Sequence, residues 1–568
     1  MQLKVLLVGI NSKFVHSNLA LRYLKAYTED LNYECILKEY SINDRVENIL
    51  EGIMKEKPHM VAFSCYIWNI EIIKALAKLI KLINEDIEII YGGPEVTHNG
   101  KEYLEKHVGE YLIEGEGEEV YRQLIERRLI VNKQTIKSTD LSEIGGLFYK
   151  IDEDIFYGGQ KNNIDINNVV FPYGEKDELK NKIIYYEASR GCPYGCKYCL
   201  SSVDRNVRNR DIEKVKKELK FLIDKKVSLV KFVDRTFNCN EKFAIDIWNF
   251  LIEQDTETKF HFEISANILT DNQMEILKKA PKGRLQFEVG VQTTNDIVLK
   301  NIDRYVRFKD IASKVLKVKE LNNISQHLDL IAGLPGENLE SFRRSFNEVY
   351  ALKPEELQLG FLKVLKGSPI MLEKEKWGIV YSPYPPYEVI QTKDISYEEL
   401  VILKKAEAMV DKYYNSGKFS TILQYFELKI QEPFELYSKL GMFFEEKGYF
   451  DRNISGVDYY KVFLEFNSEK LKEDNEILKE IVKHDYLMHN KKKWLPEFLD
   501  RDIDIKLTRE IKEKLMKGNV IAIKNNIHVE KYDINILHFI KTNKILIKDT
   551  YLAYSENGEN VINVTDII

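Results

Sequence analysis

The chain has few cysteines, six in 568 residues, which is too few for a disulfide framework in a protein of this size. It has no run of about eighteen apolar residues, so no membrane-spanning helix is expected. Its start, MQLKVLLVGI, runs straight into an apolar strand pattern. The basic stretch and small-residue cleavage site of a signal peptide are missing, and a cytoplasmic location is the expectation. Positive charge is not in excess either: 84 Lys and Arg stand against 90 Asp and Glu, a net −6. A general nucleic-acid binder carries the opposite balance. No G-x-G-x-x-G follows the first strand, which counts against a nicotinamide or flavin site. Internal repeats and low-complexity tracts are lacking as well.

The sequence that is there reads as a globular protein, 44% hydrophobic and 31% charged. Its length exceeds what one core can organise and suggests about three or four domains. In residues 1–130, short apolar runs at 4–8, 34–38, 60–64, 87–91 and 111–114 alternate with amphipathic stretches at 19–31, 45–57, 70–83 and 118–126. That alternation predicts a doubly wound parallel sheet with its ligand at the carboxyl ends of the strands. Residues 131–180 are polar, with Gly158-Gly159 and Pro172 as breakers, and read as a connector. From 181 to 375 a second series begins, with apolar runs at 183–187, 229–233, 260–264, 285–289, 328–331 and 357–362. Six strand–helix units predict a partial (β/α)6 barrel with its chemistry at the C-terminal strand ends. Residues 385–568 carry long charged helical periodicities, as at 396–414 and 426–447, and predict a mostly helical domain. The tail beyond about 520 has the short alternation of a small sheet.

Three of the six cysteines, Cys192, Cys196 and Cys199, fall on one loop after the first strand of the second series. The spacing is C-x3-C-x2-C, and Gly191, Pro193 and Gly195 let the loop wrap tightly. Four thiolates saturate a 4Fe–4S cube, so three leave one iron open for an outside ligand. A zinc site is the alternative, but zinc favours C-x2-C with a second pair. Here Cys35, Cys65 and Cys239 are scattered singly, and no nearby histidine completes a set.

This spacing, with an aromatic before the third cysteine, resembles the radical S-adenosylmethionine superfamily. The resemblance implies that the methionine amino and carboxylate groups chelate the open iron. One-electron reduction then cleaves the sulfonium to a 5′-deoxyadenosyl radical, which abstracts a hydrogen atom. It further implies that Tyr198 lies near the adenine and Asp234, at the end of the second strand, near the methionine amine. Glu263 closes the third strand, Glu288 and Gln292 flank Gly290 about the fourth, and Gly333 lies in Asp329-Leu-Ile-Ala-Gly-Leu-Pro-Gly-Glu337. All are implied S-adenosylmethionine contacts, although a carboxylate at a strand end also serves as a cap or half of an ion pair. Arg190, beside the cluster loop, either tunes the cluster potential or pairs with a carboxylate.

The strand-end loops of residues 1–130 resemble the cobalamin-binding domain that precedes the radical barrel in one large class of these enzymes. They contain Asn11 and Ser12, then Ser64, Tyr66 and Trp68, then Gly92-Gly93-Pro94-Glu95, and Gly115 and Gly117. The resemblance implies that these residues contact cobalamin, with Tyr66 and Trp68 at the lower face or tail. Trp68 equally suits core packing. One departure is the missing D-x-H-x-x-G signature of a lower axial histidine. The first loop holds only Phe14-Val-His16, so cobalamin is expected without a histidine from that motif. His16 reads as a hydrogen-bonding residue.

Together the resemblances imply an enzyme with a 4Fe–4S cluster, S-adenosylmethionine and cobalamin that methylates an unactivated carbon of an unidentified substrate. A one-electron donor such as flavodoxin or ferredoxin is the implied partner. Cyclisation or rearrangement needs the same cofactors and is the alternative within enzymes; a cobalamin or redox sensor is the alternative outside them. A methylthiotransferase needs three N-terminal cysteines, and only Cys35 and Cys65 occur there. The C-terminal region resembles the uncharacterised extension of one group of cobalamin-dependent radical proteins and is expected to cap the barrel. Its lysine run at 491–493 reads as a solvated face. His484, Asp485 and His489 come together by helical spacing alone.

Overall fold

The structure, a computed structural model, describes residues 2–131, 133, 135–490, 494–500, 503–517, 527–555 and 560–567. The lysine run at 491–493 lies outside the described residues. Two compact units are present. The first comprises residues 1–326, 333–336 and 361–394, and the second residues 327–332, 337–360 and 395–568.

The first unit opens with the expected parallel sheet. Its strands are β1 (Lys4–Asn11), β2 (Glu34–Ser41), β3 (Met60–Ser64), β4 (Glu88–Gly92) and β5 (Tyr111–Ile113). β1, β3 and β5 are buried almost end to end, as befits strands covered by helices on both faces. The helix Ile70–Ile83 shows how the cover is made: Ile70, Ile73, Leu76, Ala77 and Ile80 recur at helical spacing and turn inward.

The sheet then gains two strands that the sequence reading assigned to the connector. β6 (Leu147–Ile151) and β7 (Asp154–Tyr157) add antiparallel at the edge, giving the order β2-β1-β3-β4-β5-β6-β7. Only Leu147 and Tyr149 of this hairpin are buried. A hairpin with strands of five and four residues leaves little alternation to read. The strand order reverses between β1 and β3, and the crevice at their carboxyl ends is the topological switch point.

The barrel series follows. β8 (Ile183–Tyr186) leads into the short antiparallel pair β9 (Ser189–Arg190) and β10 (Arg208–Asn209), which straddles the cysteine loop. β11 (Leu229–Phe232), β12 (Lys259–Ile264) and β13 (Leu285–Gln292) pair in parallel with one another and with β8. The two remaining expected strands, β14 (Ser325–Ala332) and β15 (Glu356–Phe361), also form. On β11 to β13 the fully buried positions are apolar: Val230, Phe232, Phe260, Phe262, Leu285, Phe287 and Val289. Lys231, Glu263, Gln286 and Glu288 alternate with them and are half-buried. One face therefore packs against helices and the other is a polar lumen.

The strand-end loops of the two sheets meet. His16 bridges in parallel to Ile183 at the start of β8, and the Ile183 N–H donates to the Val15 carbonyl at 2.8 Å.

Within the second unit, helices dominate, as expected. They include Tyr397–Met409, Ser420–Glu427, Pro433–Glu446, Asp458–Phe466 and Glu476–His489, packed about a core rich in Tyr413, Phe426, Phe444, Phe463 and Phe466. A small antiparallel sheet closes the chain; after β16 (Val380–Tyr381) and β17 (Val389–Gln391) of the first unit, it is built from β18 (His528–Ile534), β19 (Ile547–Tyr554) and β20 (Val561–Asn563).

His484 and Asp485 take part in packing. His484 Nδ1 lies 2.8 Å from the Tyr554 hydroxyl. Asp485 accepts the Thr421 and Ile422 N–H groups at 3.0 and 2.9 Å, at the start of the helix Ser420–Glu427. Burial pushes the Asp485 carboxyl up to about 7, whereas an unfolded aspartate titrates near ~3.9. The proton is held more tightly in the folded state. The stability this group contributes is thus present at low pH and is lost as pH rises from about 4 to about 7. Asp485→Asn should remove that component, flattening the thermal midpoint against pH across the same window.

Candidate functional site

The cysteine loop is held from several sides. The Cys192 N–H donates to the Asp204 carbonyl at 2.9 Å and the Lys197 N–H to the Ile302 carbonyl at 3.0 Å. The Cys199 N–H closes a turn on the Cys196 carbonyl at 3.1 Å. Gly191 has φ +95° with its α-carbon facing the Asn206 carbonyl, leaving no room for a side chain. Cys192 and Cys196 are buried, Cys199 is half-buried, and all three are free thiols.

Cationic and polar donors stand beside the sulfurs. Arg304 Nη1 lies 3.7 Å from Cys196 Sγ, while its Nη2 donates to the Gly290 carbonyl at 2.5 Å. The Thr236 hydroxyl is 3.5 Å from Cys192 Sγ. Burial raises the Cys196 thiol above its ordinary range, and Arg304 opposes that rise. Donors of this kind stabilise anionic sulfur. Among the described residues, no three His, Cys, Asp or Glu side chains converge closely enough to share one metal ion. A cube sets each sulfur on its own iron, so three cluster thiolates need not converge on one point. The loop thus fits a three-thiolate 4Fe–4S site.

The implied S-adenosylmethionine residues divide into two groups. Gln292 and Gly333 have left-handed backbone, and Tyr198 lies within the cysteine loop. Gln292 is buried at φ +71°, its side chain folded back over Gly290, and its Oε1 has no hydrogen-bond partner among the described residues. A buried, unsatisfied acceptor on a strained backbone is a typical mark of a ligand site. Gly333 has φ +81°. Tyr198 is half-buried, and its hydroxyl is raised by burial, with Arg304 opposing.

The carboxylates are engaged with the protein itself. Asp234 accepts the Ala188 N–H at 3.0 Å and the Ser189 hydroxyl at 2.5 Å, and burial lifts its carboxyl to about 7. It ties down the residues that lead into the cysteine loop. Glu263 faces Arg235 at 3.4 Å, and burial leaves its carboxyl raised. For Glu288, burial alone would raise the carboxyl. His261 at 2.9 Å and Lys231 at 3.2 Å outweigh it and bring the group down to about 2.

The first sheet brings every implied cobalamin loop to its carboxyl edge. Asn11 ends β1 and donates to the His16 carbonyl at 3.0 Å. Ser12 follows it, half-buried. Ser64 ends β3, where its hydroxyl accepts Asn18 Nδ2 at 2.8 Å. Tyr66 and Trp68 stack face to face, ring centroids 4.5 Å apart. Trp68 donates to the Ile10 carbonyl at 3.1 Å yet stays 43% exposed, so it is not a core residue.

Gly92 ends β4 and Gly93 follows it. Gly93 has φ +113° and an added Cβ would lie 2.6 Å from the Cys65 carbonyl oxygen. Gly93→Ala should lower stability by about 1–3 kcal/mol, measured by denaturant melting. Pro94 is exposed and Glu95 buried. Gly115 and Gly117 follow β5 and flank Glu116.

Glu116 and Glu118 reach across to the cysteine loop. Arg190 meets Glu118 at 2.5 Å, Glu187 at 2.9 Å and Glu116 at 3.7 Å. Arg208 pairs with Glu116 and Asp204. Of the two roles open to Arg190, the structure displays pairing. His16 Nδ1 lies 2.6 Å from the Tyr185 hydroxyl, in keeping with a hydrogen-bonding histidine.

Several residues here escaped the sequence reading. Lys231 and His261 were legible in principle as polar breaks in apolar strands. Arg304 sits beyond a helix, far along the chain from Cys196, and carried no signal.

A B12 binding domain model matches residues 5–125 and a Radical SAM superfamily model matches residues 186–349. The chain thus carries a B12-binding domain and a Radical SAM domain. A third model, a protein of unknown function (DUF4080), matches residues 375–554 of the chain. It is 25% identical over 452 residues to the cobalamin-dependent radical SAM methyltransferase TokK of Streptomyces tokunonensis, covering 74% of the chain and 65% of TokK. It is also 25% identical over 352 residues to the 2-(S-pantetheinyl)-carbapenam-3-carboxylate methyltransferase of Streptantibioticus cattleyicolor, covering 58% and 50%. The chain thus spans less than two thirds of either relative. Among solved structures it shares the fold of the cobalamin-dependent S-adenosylmethionine radical enzyme OxsB, with TM-score 0.58 and 16% identity over 92% of this chain and 82% of that one. Among the described residues no helix is long and apolar enough to cross a membrane.

Proposed function

We propose that this protein is a cobalamin-dependent radical enzyme that methylates an unactivated carbon, the substrate being unidentified. The observation that carries this is the facing of two sheet ends. The strand-end loops of the B12-type domain meet the strand entering the cysteine loop through Arg190–Glu118 at 2.5 Å, and β8 through His16–Tyr185 at 2.6 Å. A corrin at the β1/β3 switch point and an adenosine beside the cysteine loop would then share one chamber. The methyltransferase names of the two relatives support the reaction type.

When bound, these groups supply the electron, the hydrogen-abstracting adenosyl fragment and the methyl group. The chain's own residues orient and insulate them. Cys192, Cys196 and Cys199 would hold the cluster, with Arg304 and Thr236 stabilising the sulfur charge. Gln292, Gly333 and Tyr198 would receive S-adenosylmethionine. Asn11, Ser12, Ser64, Tyr66, Trp68, Gly92, Gly93, Pro94, Gly115 and Gly117 would line the corrin side. Asp234 keeps Ala188 and Ser189 in place, and Glu288 stays ionised between Lys231 and His261 on the lumen wall. A one-electron donor such as flavodoxin or ferredoxin is the partner this reaction needs.

Iron, sulfide and corrin content after anaerobic purification, with cobalamin supplied during expression, tests the reading. About four irons and one corrin per chain are expected, with 5′-deoxyadenosine formed on reduction in the presence of S-adenosylmethionine. Iron without corrin would remove the methyl carrier and with it the methylation reading.

A further inference from the structure

Glu95 closes the Gly92–Glu95 loop, yet its carboxylate is not open to a ligand. It is 7% exposed. Lys366 Nζ lies 2.6 Å from its Oε1, and the Tyr387 hydroxyl donates to the same oxygen. Lys366 also sits over the Tyr387 ring, 5.1 Å from its centroid. Next to it, Gly367 at φ +80° packs directly on the His98 ring, where no side chain fits. A buried carboxylate without such partners would be costly, so the segment around Lys366 is built to meet this loop.

The same segment holds two more loops. The Ile370 N–H donates to the Lys197 carbonyl at 2.9 Å, and Lys197 Nζ pairs with Glu373 at 2.9 Å. Lys197 stands between Cys196 and Tyr198 in the cysteine motif. Farther along, Asp394 Oδ2 accepts the Gly336 N–H at 3.0 Å, and Val389 packs against Gly333. Residues 361–394 therefore touch the Gly92–Glu95 loop, the cysteine loop and the Gly333–Gly336 loop, and all of these lie in one compact unit.

We propose that residues 361–394 are a strap that sets the spacing between the Gly92–Glu95 loop and the cysteine loop. Glu95, Lys366 and Tyr387 are its positioning residues. Glu95 is the strap's anchor and not a cobalamin contact. The leading part of the family match of unknown function, which begins at residue 375, then supplies Tyr387 to the first loop, while Ile370 and Glu373 just before it hold the cysteine loop. The identity of the ligand at the first loop rests on the proposed function; the strap itself does not.

The test uses the full-length protein, purified anaerobically with its cluster, as wild type and as Lys366→Met, Lys366→Arg, Tyr387→Phe and Glu95→Gln/Lys366→Met. Amide hydrogen exchange is followed in peptides covering 92–99, 195–200, 361–394 and the core strand 285–292. Hydroxocobalamin affinity is read by visible absorption titration. Lys366→Met should speed exchange at 92–99 and at 195–200 but not at 285–292, and weaken hydroxocobalamin by about tenfold, with iron content unchanged. Lys366→Arg should restore both readouts, and the double variant should be no worse than Lys366→Met. Tyr387→Phe, the milder change, should move them in the same direction.

Faster exchange confined to 361–394 would overturn the proposal, because the strap would then transmit nothing to the cysteine loop. A rise spread through 285–292 would overturn it too, marking a general stability role. Should the wild type take up no hydroxocobalamin, the cobalamin reading fails, and exchange at the two loops still decides the strap.

Discussion

Cys192→Ala, Cys196→Ala and Cys199→Ala are each expected to reduce S-adenosylmethionine cleavage to the level of a protein-free control. Each removes one of three thiolates from a cube that already has an open iron. Two ligands on a loop this short leave two irons uncovered, and iron content should fall well below about four per chain. The loop backbone should survive, because its restraints are main-chain bonds to Asp204 and Ile302 and the Gly191 turn. Cys35→Ala serves as the control, since Cys35 lies in β2, away from the motif. Formation of 5′-deoxyadenosine, quantified after dithionite reduction, is the readout. Cleavage retained in any one of the three variants would remove that cysteine from the ligand set.

Arg190→Met is the second change with a large expected effect. The guanidinium is only 13% exposed and answers Glu118 and Glu187, which are 6% and 14% exposed. Removing it leaves two buried carboxylates without the cation that bonds both of them. Breaking a buried pair from one side costs about 3–5 kcal/mol, so a clear fall in the denaturation midpoint should follow. Because Arg190 joins the loop after β5 to the strand that enters the cysteine loop, activity should be lost beyond what instability explains. Arg190→Met/Glu118→Gln should recover part of the stability, since the stranded charge is then gone. A variant as stable as wild type would show that the site is hydrated and the pair dispensable.

The cysteine loop was legible from the chain because its chemistry is local: three thiols, two glycines and a proline within eight residues or so of one another. Strand and helix positions were legible for the same reason, since apolar periodicity is written over about five to fifteen residues. Where that signal is short the reading missed, as at the β6–β7 hairpin, whose buried side is two residues long. Roles that depend on partners were open. Asp234 follows β11 and Glu288 lies within β13, and one braces Ala188 and Ser189 while the other is clasped by Lys231 and His261. Arg190 could be named as a residue beside the cluster, but its pairing with Glu118 could not.

By itself, then, the sequence determined the order of the domains, the parallel character of both strand series and the three candidate cluster ligands. Each of these follows from spacing along the backbone. Only the tertiary structure decided which groups meet across long separations: Arg304 with Cys196, His16 with Tyr185, Glu95 with Lys366 and Tyr387. Such contacts depend on how far two chain segments are brought together by packing, and on which carboxylate is left with a cation once water is excluded. Neither quantity is written in any local window of residues, because burial and pairing are properties of the folded whole.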